Sequence, residues 1–80
     1  MPNPSKNRQD PKLVALGAAI KRARLAKGLS QEHLALHADI DRSYLGRVER
    51  GDNNVAILTL IRIANALGHA ANELLADAGL

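Results

Sequence analysis

Between Ser30 and Gly51 the chain has room for two short helices, with only Asp39-Ile40-Asp41 to turn the corner between them. Ser30 suits the first helix as a cap, because its hydroxyl can accept from a backbone N–H that the opening turn leaves without a partner. Leu34, Ala35 and Ala38 then share one face, which predicts a helix over Gln31–Ala38. His33 occupies the third helical position, where a reciprocal capping box needs Glu or Gln. Past the break, Leu45 and Val48 mark the inner face of a helix from Arg42 to about Arg50, stopped by Gly51. Asp39 can adopt a left-handed conformation at moderate cost, Ile40 can plug a core, and Asp41 can cap the second helix. So short a link cannot lay the two helices antiparallel, so they must cross steeply.

The flanking sequence supplies a scaffold for this pair. Residues 1–9 (MPNPSKNRQ) are polar, carry two prolines and predict a flexible arm. A folded domain is expected over residues 10–80. Asp10 can cap a helix whose first position is Pro11, where a missing N–H costs nothing. Leu13, Leu16, Gly17, Ile20 and Ala23 recur at helical spacing until Gly28, and Leu29 can fold back on the last turn. Beyond the Asp52-Asn53-Asn54 turn, Ile57, Leu60, Ile63, Ala64 and Leu67 form another stripe ending at Gly68. Leu58 and Ile61 lie off that stripe, so this helix is apolar on a second face that needs a partner. A last short helix over Ala71–Ala78 turns Leu74 and Leu75 inward. With no strand-like alternation, the expected fold is all-α with five helices.

The core must be thin. Cysteine is absent and Tyr44 is the only aromatic residue among 80, so Leu, Ile, Val and Ala have to fill it. Each buried aliphatic side chain contributes roughly 1.5–3 kcal/mol, most of which chain entropy cancels. A partner subunit is the remaining route to added stability. The net charge of +3 is unevenly placed. Residues 1–50 hold ten of the eleven Lys/Arg against five acids, whereas residues 51–80 hold Arg62 against Asp52, Glu73 and Asp77. The basic half is the candidate surface for a polyanion. No apolar run resembles a signal peptide or spans a bilayer, so a cytoplasmic location is expected.

The steeply crossed pair has the geometry of a helix-turn-helix. On its second helix, Arg42, Ser43, Gly46, Arg47 and Arg50 fall outward, a face of donors with little bulk. Arginine can donate two parallel hydrogen bonds to guanine, and serine can serve base edges or phosphates. Gly46 in a helix interior costs about 1 kcal/mol, so close backbone approach or packing must offset it. Arg24 and Glu49 are each a charge on an apolar stripe, four residues after Ile20 and Leu45 respectively. They are expected to pair and tie the first helix to the third; the alternative is that both reach to solvent.

The run Gly28-Leu29-Ser30-Gln31-Glu32, with Leu34-Ala35, Tyr44-Leu45, Val48-Glu49-Arg50-Gly51, Thr59-Leu60, Ile63-Ala64 and Ala66-Leu67-Gly68, resembles the Cro/C1-type (XRE) helix-turn-helix family. The likeness covers about residues 12–76. Within that family, Asp41-Arg42-Ser43-Tyr44 and Asn54-Val55 are similar to the controller proteins of restriction-modification systems. The resemblance implies five helices and a homodimer on a roughly palindromic operator in double-stranded DNA, repressing or activating without catalysis. It places Arg42, Ser43 and Arg47 at the bases, and Gln31, Tyr44, Arg50 and Asn53 at or near the backbone. It puts Arg24 and Glu49 at the family's inter-helix ion pair. Asp39 stands where a turn glycine is usual, Val55-Ala56 where Pro-Ser is common, and Ala70 at a position that commonly caps. Asn53 stands where a basic residue is frequent among controllers.

Other readings compete. His33 and His37 have the four-residue spacing of two metal ligands, with His69 or a carboxylate needed as a third; surface histidines are the better expectation, and no metal, cofactor or small-molecule ligand is expected. No phosphate-cradling glycine loop, catalytic carboxylate pair or cysteine nucleophile supports an enzyme. An antitoxin-like protein-interaction module is the stronger rival, with Leu36, Leu58, Ile61 and Leu80 as its contact surface. Leu58, Ile61 and Leu80 equally suit a homodimer seam. Lys6, Arg8 and Lys12 could follow phosphates, although a disordered basic tail is commoner.

Overall fold

A computed structural model describes residues 8–80, which form five helices and no strand among the described residues. The helices are α1 (Pro11–Ala26), α2 (Gln31–Ala38), α3 (Arg42–Arg50), α4 (Ile57–Leu67) and α5 (Ala71–Asp77). No helix among the described residues is long and apolar enough to cross a membrane.

Local chemistry sets most of the boundaries. The Asp10 carboxylate accepts from Lys12 N–H at 2.8 Å, and Pro11 takes the first helical position. Gly28 closes α1 with φ +73°, letting Leu29 N–H reach back to Arg24 O at 3.1 Å. Ser30 Oγ accepts from His33 N–H at 3.0 Å and starts α2. Asp39 ends α2 in the left-handed region, φ 57° and ψ 48°, where a side chain costs about 1–2 kcal/mol. Ile40 then returns a backbone bond to Ala35 O at 3.0 Å and packs half-buried against the core.

Three expectations are corrected. Asp41 holds the cap position of α3 without a side-chain cap bond; its carboxylate instead accepts from the Ser43 hydroxyl, a donor as near along the chain as the amides of the first turn. Ile57 is 60% exposed rather than part of the inward stripe. As the first residue of α4 it lies at the rim, where Val55 packs against the core instead. Gly46, expected outward, is buried: the side chains of Gln31 and Arg50 close over the space that a Cβ would fill.

Leu16, Ile20, Leu34, Leu45, Ile63 and Leu74 centre one aliphatic core to which every helix contributes. Its tightest seam joins α1 to α3, where Gly17 lies against the carbonyls of Val48 and Glu49. At α5, Ala70 has no side-chain oxygen to offer, but Glu73 accepts from the Ala70 N–H at 2.7 Å, making half of a capping box. Arg22 binds Asp77 at 2.9 Å and ties α5 to α1. Residues 1–7 of the expected arm lie outside the described residues, whereas Arg8 and Gln9 are bonded to the segment following α3.

Candidate nucleic-acid interface

Helix α3 is held from behind. Leu45 and Val48 are buried, and Glu49 meets Arg24 of α1 in a pair of which each residue is only 7% exposed. Arg24 Nε donates to Glu49 Oε2 at 2.7 Å, its Nη2 to Oε1 at 3.1 Å, and its Nη1 to Leu29 O at 2.9 Å. Desolvating two charges is costly, but here the guanidinium fork and the carboxylate satisfy one another and the loop carbonyl. No buried side-chain nitrogen or oxygen among the described residues lacks a hydrogen-bond partner.

The same carboxylate positions a residue of α2. Gln31 Nε2 donates to Glu49 Oε1 at 2.9 Å, spending one of the two amide hydrogens and leaving the other for an external acceptor. A network of Arg24, Glu49 and Gln31 therefore fixes the start of α2 against α3. Gly46 lies beneath this arrangement: a Cβ there would lie 3.3 Å from Arg50 Nη1 and 3.9 Å from Gln31 Oε1, both ends of flexible side chains.

On the outward side, Arg42, Ser43 and Arg50 are exposed, and Tyr44 and Arg47 are half-buried. The Arg47 guanidinium rests over the Tyr44 ring, 5.9 Å from its centroid, where the ring's negative face attracts it. Burial raises the Tyr44 phenol pKa, with the charges of Arg47 and Arg62 acting the other way. The ring therefore stays neutral across the physiological range. Ser43 turns its hydroxyl to Asp41 and remains able to accept through its own oxygen. That hydroxyl is the first cause holding the Asp41 carboxyl below its ordinary range, helped by the amides of Tyr44 and Ser43 and the charge of Arg47. Asn53 lies half-buried in the turn between α3 and α4.

Other sequence-derived candidates fall elsewhere. His33 Nδ1 lies 2.9 Å from Ser30 Oγ, and His69 Nδ1 lies 3.8 Å from Glu73 Oε1. No group of three or more His, Cys, Asp or Glu among the described residues is placed to hold a metal ion. Leu58, Ile61 and Leu80 are 73%, 39% and 50% exposed, and Leu36 is 74% exposed. Arg8 and Gln9 join the C-terminal end of α3 through Asp52, a contact with no local signal in the sequence because the partners are more than forty residues apart.

Comparison with known proteins agrees with this geometry. A model of the helix-turn-helix family matches residues 20–73. The control protein C.MunI of a Mycoplasma species is 37% identical over 65 residues, covering 80% of this chain and 88% of that protein. The crystal structure of the restriction-modification controller protein C.AhdI from Aeromonas hydrophila superposes with a TM-score of 0.77 at 47% identity, covering 78% of this chain and 94% of that one. The restriction-modification controller protein C.Esp1396I, in a tetramer bound to its natural 35 base-pair operator, superposes with a TM-score of 0.75 at 33% identity, covering 84% and 92%. With its buried Arg24–Glu49 pair behind a donor-rich α3, the chain belongs to the Cro/C1-type helix-turn-helix family of DNA-binding transcription regulators.

Proposed function

We propose that the chain acts as a homodimer that sets α3 of each subunit into the major groove of a palindromic operator and controls genes of a restriction-modification system. The observation that carries this reading is the split character of α3, which is locked to the core through Leu45, Val48 and Glu49 while presenting Arg42, Ser43 and Arg47 outward. A rigidly held helix can bring arginine forks to base edges with little loss of freedom on binding. Gln31, Tyr44, Arg50 and Asn53 flank those three and serve the phosphates, which supply most of the affinity. The likeness to C.Esp1396I, described on its operator, supports the same use of the fold.

Selection of bound sites from random duplex DNA tests the proposal. It is expected to return two inverted half-sites about one helical turn apart. Arg42→Ala should relax the preference at particular base pairs by about 1–3 kcal/mol each, while Gln31→Ala should weaken every sequence alike. A selection that returns no preferred sequence would sink the reading.

The dimer rests on the outer face of α4. Leu58 and Ile61 there, with neighbouring Ile57 and with Leu80 at the end of the chain, are apolar and face solvent in the single subunit. Such surface on so small a domain favours a seam between copies. Leu58→Glu is therefore expected to sediment as a monomer and to lose about 100-fold in operator affinity, because two linked half-sites bind far more tightly than one. A wild-type protein that already sediments as a monomer would instead favour a protein-interaction module awaiting a different partner.

A further inference from the structure

Asp52 stands directly after the glycine that stops α3 and gathers donors from both sides of the fold. Its Oδ1 accepts from the Gln9 amide and from Arg8 Nε at 3.3 Å, and its Oδ2 accepts from Arg50 Nε at 3.2 Å. Gln9 is pinned further by its backbone N–H on Gly51 O at 2.7 Å and its side-chain amide on Arg50 O at 2.8 Å. The acid is turned inward and the cations outward: the Asp52 side chain is 14% exposed, against 57% for Arg8 and 62% for Arg50. Each guanidinium spends its Nε on Asp52, and its terminal nitrogens make no hydrogen bond to protein among the described residues.

The fold itself does not require two arginines here. Solvent-exposed ion pairs contribute little to stability, and one cation would neutralise one carboxylate. The cluster therefore presents a surplus positive charge in a fixed geometry, and it is continuous with the outer face of α3. Arg50 Nη1 and the Gln31 amide both lie within 4.0 Å of the point where a Gly46 Cβ would stand. The Gln9 amide is the first cause holding the Asp52 carboxyl below its ordinary range. The clasp is thus intact at neutral pH and loosens only as pH falls through that lowered value.

We infer that Arg8 and Arg50, set in place by Asp52, form one seat for a backbone phosphate of duplex DNA, extending the interface from α3 to the segment that precedes α1. Asp52 is the positioning residue, and Arg8 and Arg50 touch the phosphate. The inference rests on the DNA-binding reading above and adds Arg8 to it as a structured contact instead of a tail charge.

Arg8→Ala in the full chain is the test, with binding measured on selected and on random duplexes over a range of salt. Affinity should fall about three- to tenfold on both, and the slope of log affinity against log salt should decrease by about one. The selected sequence should not change. In an Asp52→Ala background, or Asp52→Ser should alanine fail to fold, a serine hydroxyl being too short to reach the guanidinium, the same Arg8→Ala step should cost less than about twofold, since Arg8 is no longer held. An unchanged salt slope in Arg8→Ala overturns the inference, as does an undiminished loss in the Asp52 background, which would make Arg8 a freely moving charge. If Arg47→Ala weakens binding while Arg8→Ala does not, only the seat is lost; if neither does, the DNA-binding reading fails with it.

Discussion

Arg24→Ala is expected to destabilise the domain by about 3–5 kcal/mol, read as the shift of the urea unfolding transition at constant slope. The reason is the Glu49 side chain, 3% exposed, which would keep only the Gln31 amide after losing both bonds from the guanidinium. An unpaired carboxylate in that position must be protonated, draw in water or move, and each route costs free energy. Domains of this size have a stability of about 5–15 kcal/mol in total, so the variant should be partly unfolded at physiological temperature. A paired replacement, Arg24→Met with Glu49→Leu, removes both charges and should recover most of the loss, because a well-packed apolar pair is often as stable as the ions it replaces. Operator affinity should not recover to the same degree. Gln31 would have lost the acceptor that orients it, and the double variant should bind all duplexes more weakly while folding normally. A loss below about 1 kcal/mol in Arg24→Ala would mean that the pair is effectively solvated, and the account of how α3 is held would be wrong.

Gly17→Ala should be the second most damaging change, although it adds a single carbon. That carbon would overlap the carbonyl oxygen of Val48 and come within 2.5 Å of that of Glu49, both backbone atoms of α3. Backbone cannot rotate aside as a side-chain end can, so α1 and α3 must separate along their whole seam. Overpacking of this kind costs typically about 1–3 kcal/mol, and the upper end applies here because the obstacle is rigid. The better helix propensity of alanine returns up to about 1 kcal/mol. A net loss near 2 kcal/mol is expected, with a larger proportional loss of operator binding because the displaced helix is the one that reads bases. Gly46→Ala is the internal control. Its Cβ would meet only the flexible end of Arg50 at 3.3 Å, so stability should hold or rise slightly. Equal losses at the two glycines would remove the case for a rigid α1–α3 seam.

Much of this arrangement was legible along the chain because the signals are local. Asp10 before Pro11, Ser30 before α2, and Gly28, Gly51 and Gly68 at helix ends each act within one turn, so composition at those points predicts the boundaries that are found. The spacing of Ile20 to Arg24 and of Leu45 to Glu49 likewise put two charges on buried faces, from which a pair follows, since neither charge is tolerable alone. The side-chain bonds at the surface were not legible in the same way. Asp41 has two acceptable partners close by, the free amides of α3 and the Ser43 hydroxyl, and residue identity does not choose between them. Ile57 fits a helical stripe by number, yet Val55 fills the core at that end of α4.

The sequence by itself determined that five helices form, where they begin and, to within a residue or two, where they end, and that α3 carries arginines on its outer side, because capping and periodicity depend on neighbours within about four residues. Only the tertiary structure decided that Gly46 is a covered gap between Gln31 and Arg50, and that Arg8, Gln9 and Arg50 converge on Asp52. Those contacts join segments brought together by the packing of α1 against α3, and a side chain's choice among distant partners is settled by that packing rather than by anything within reach along the chain.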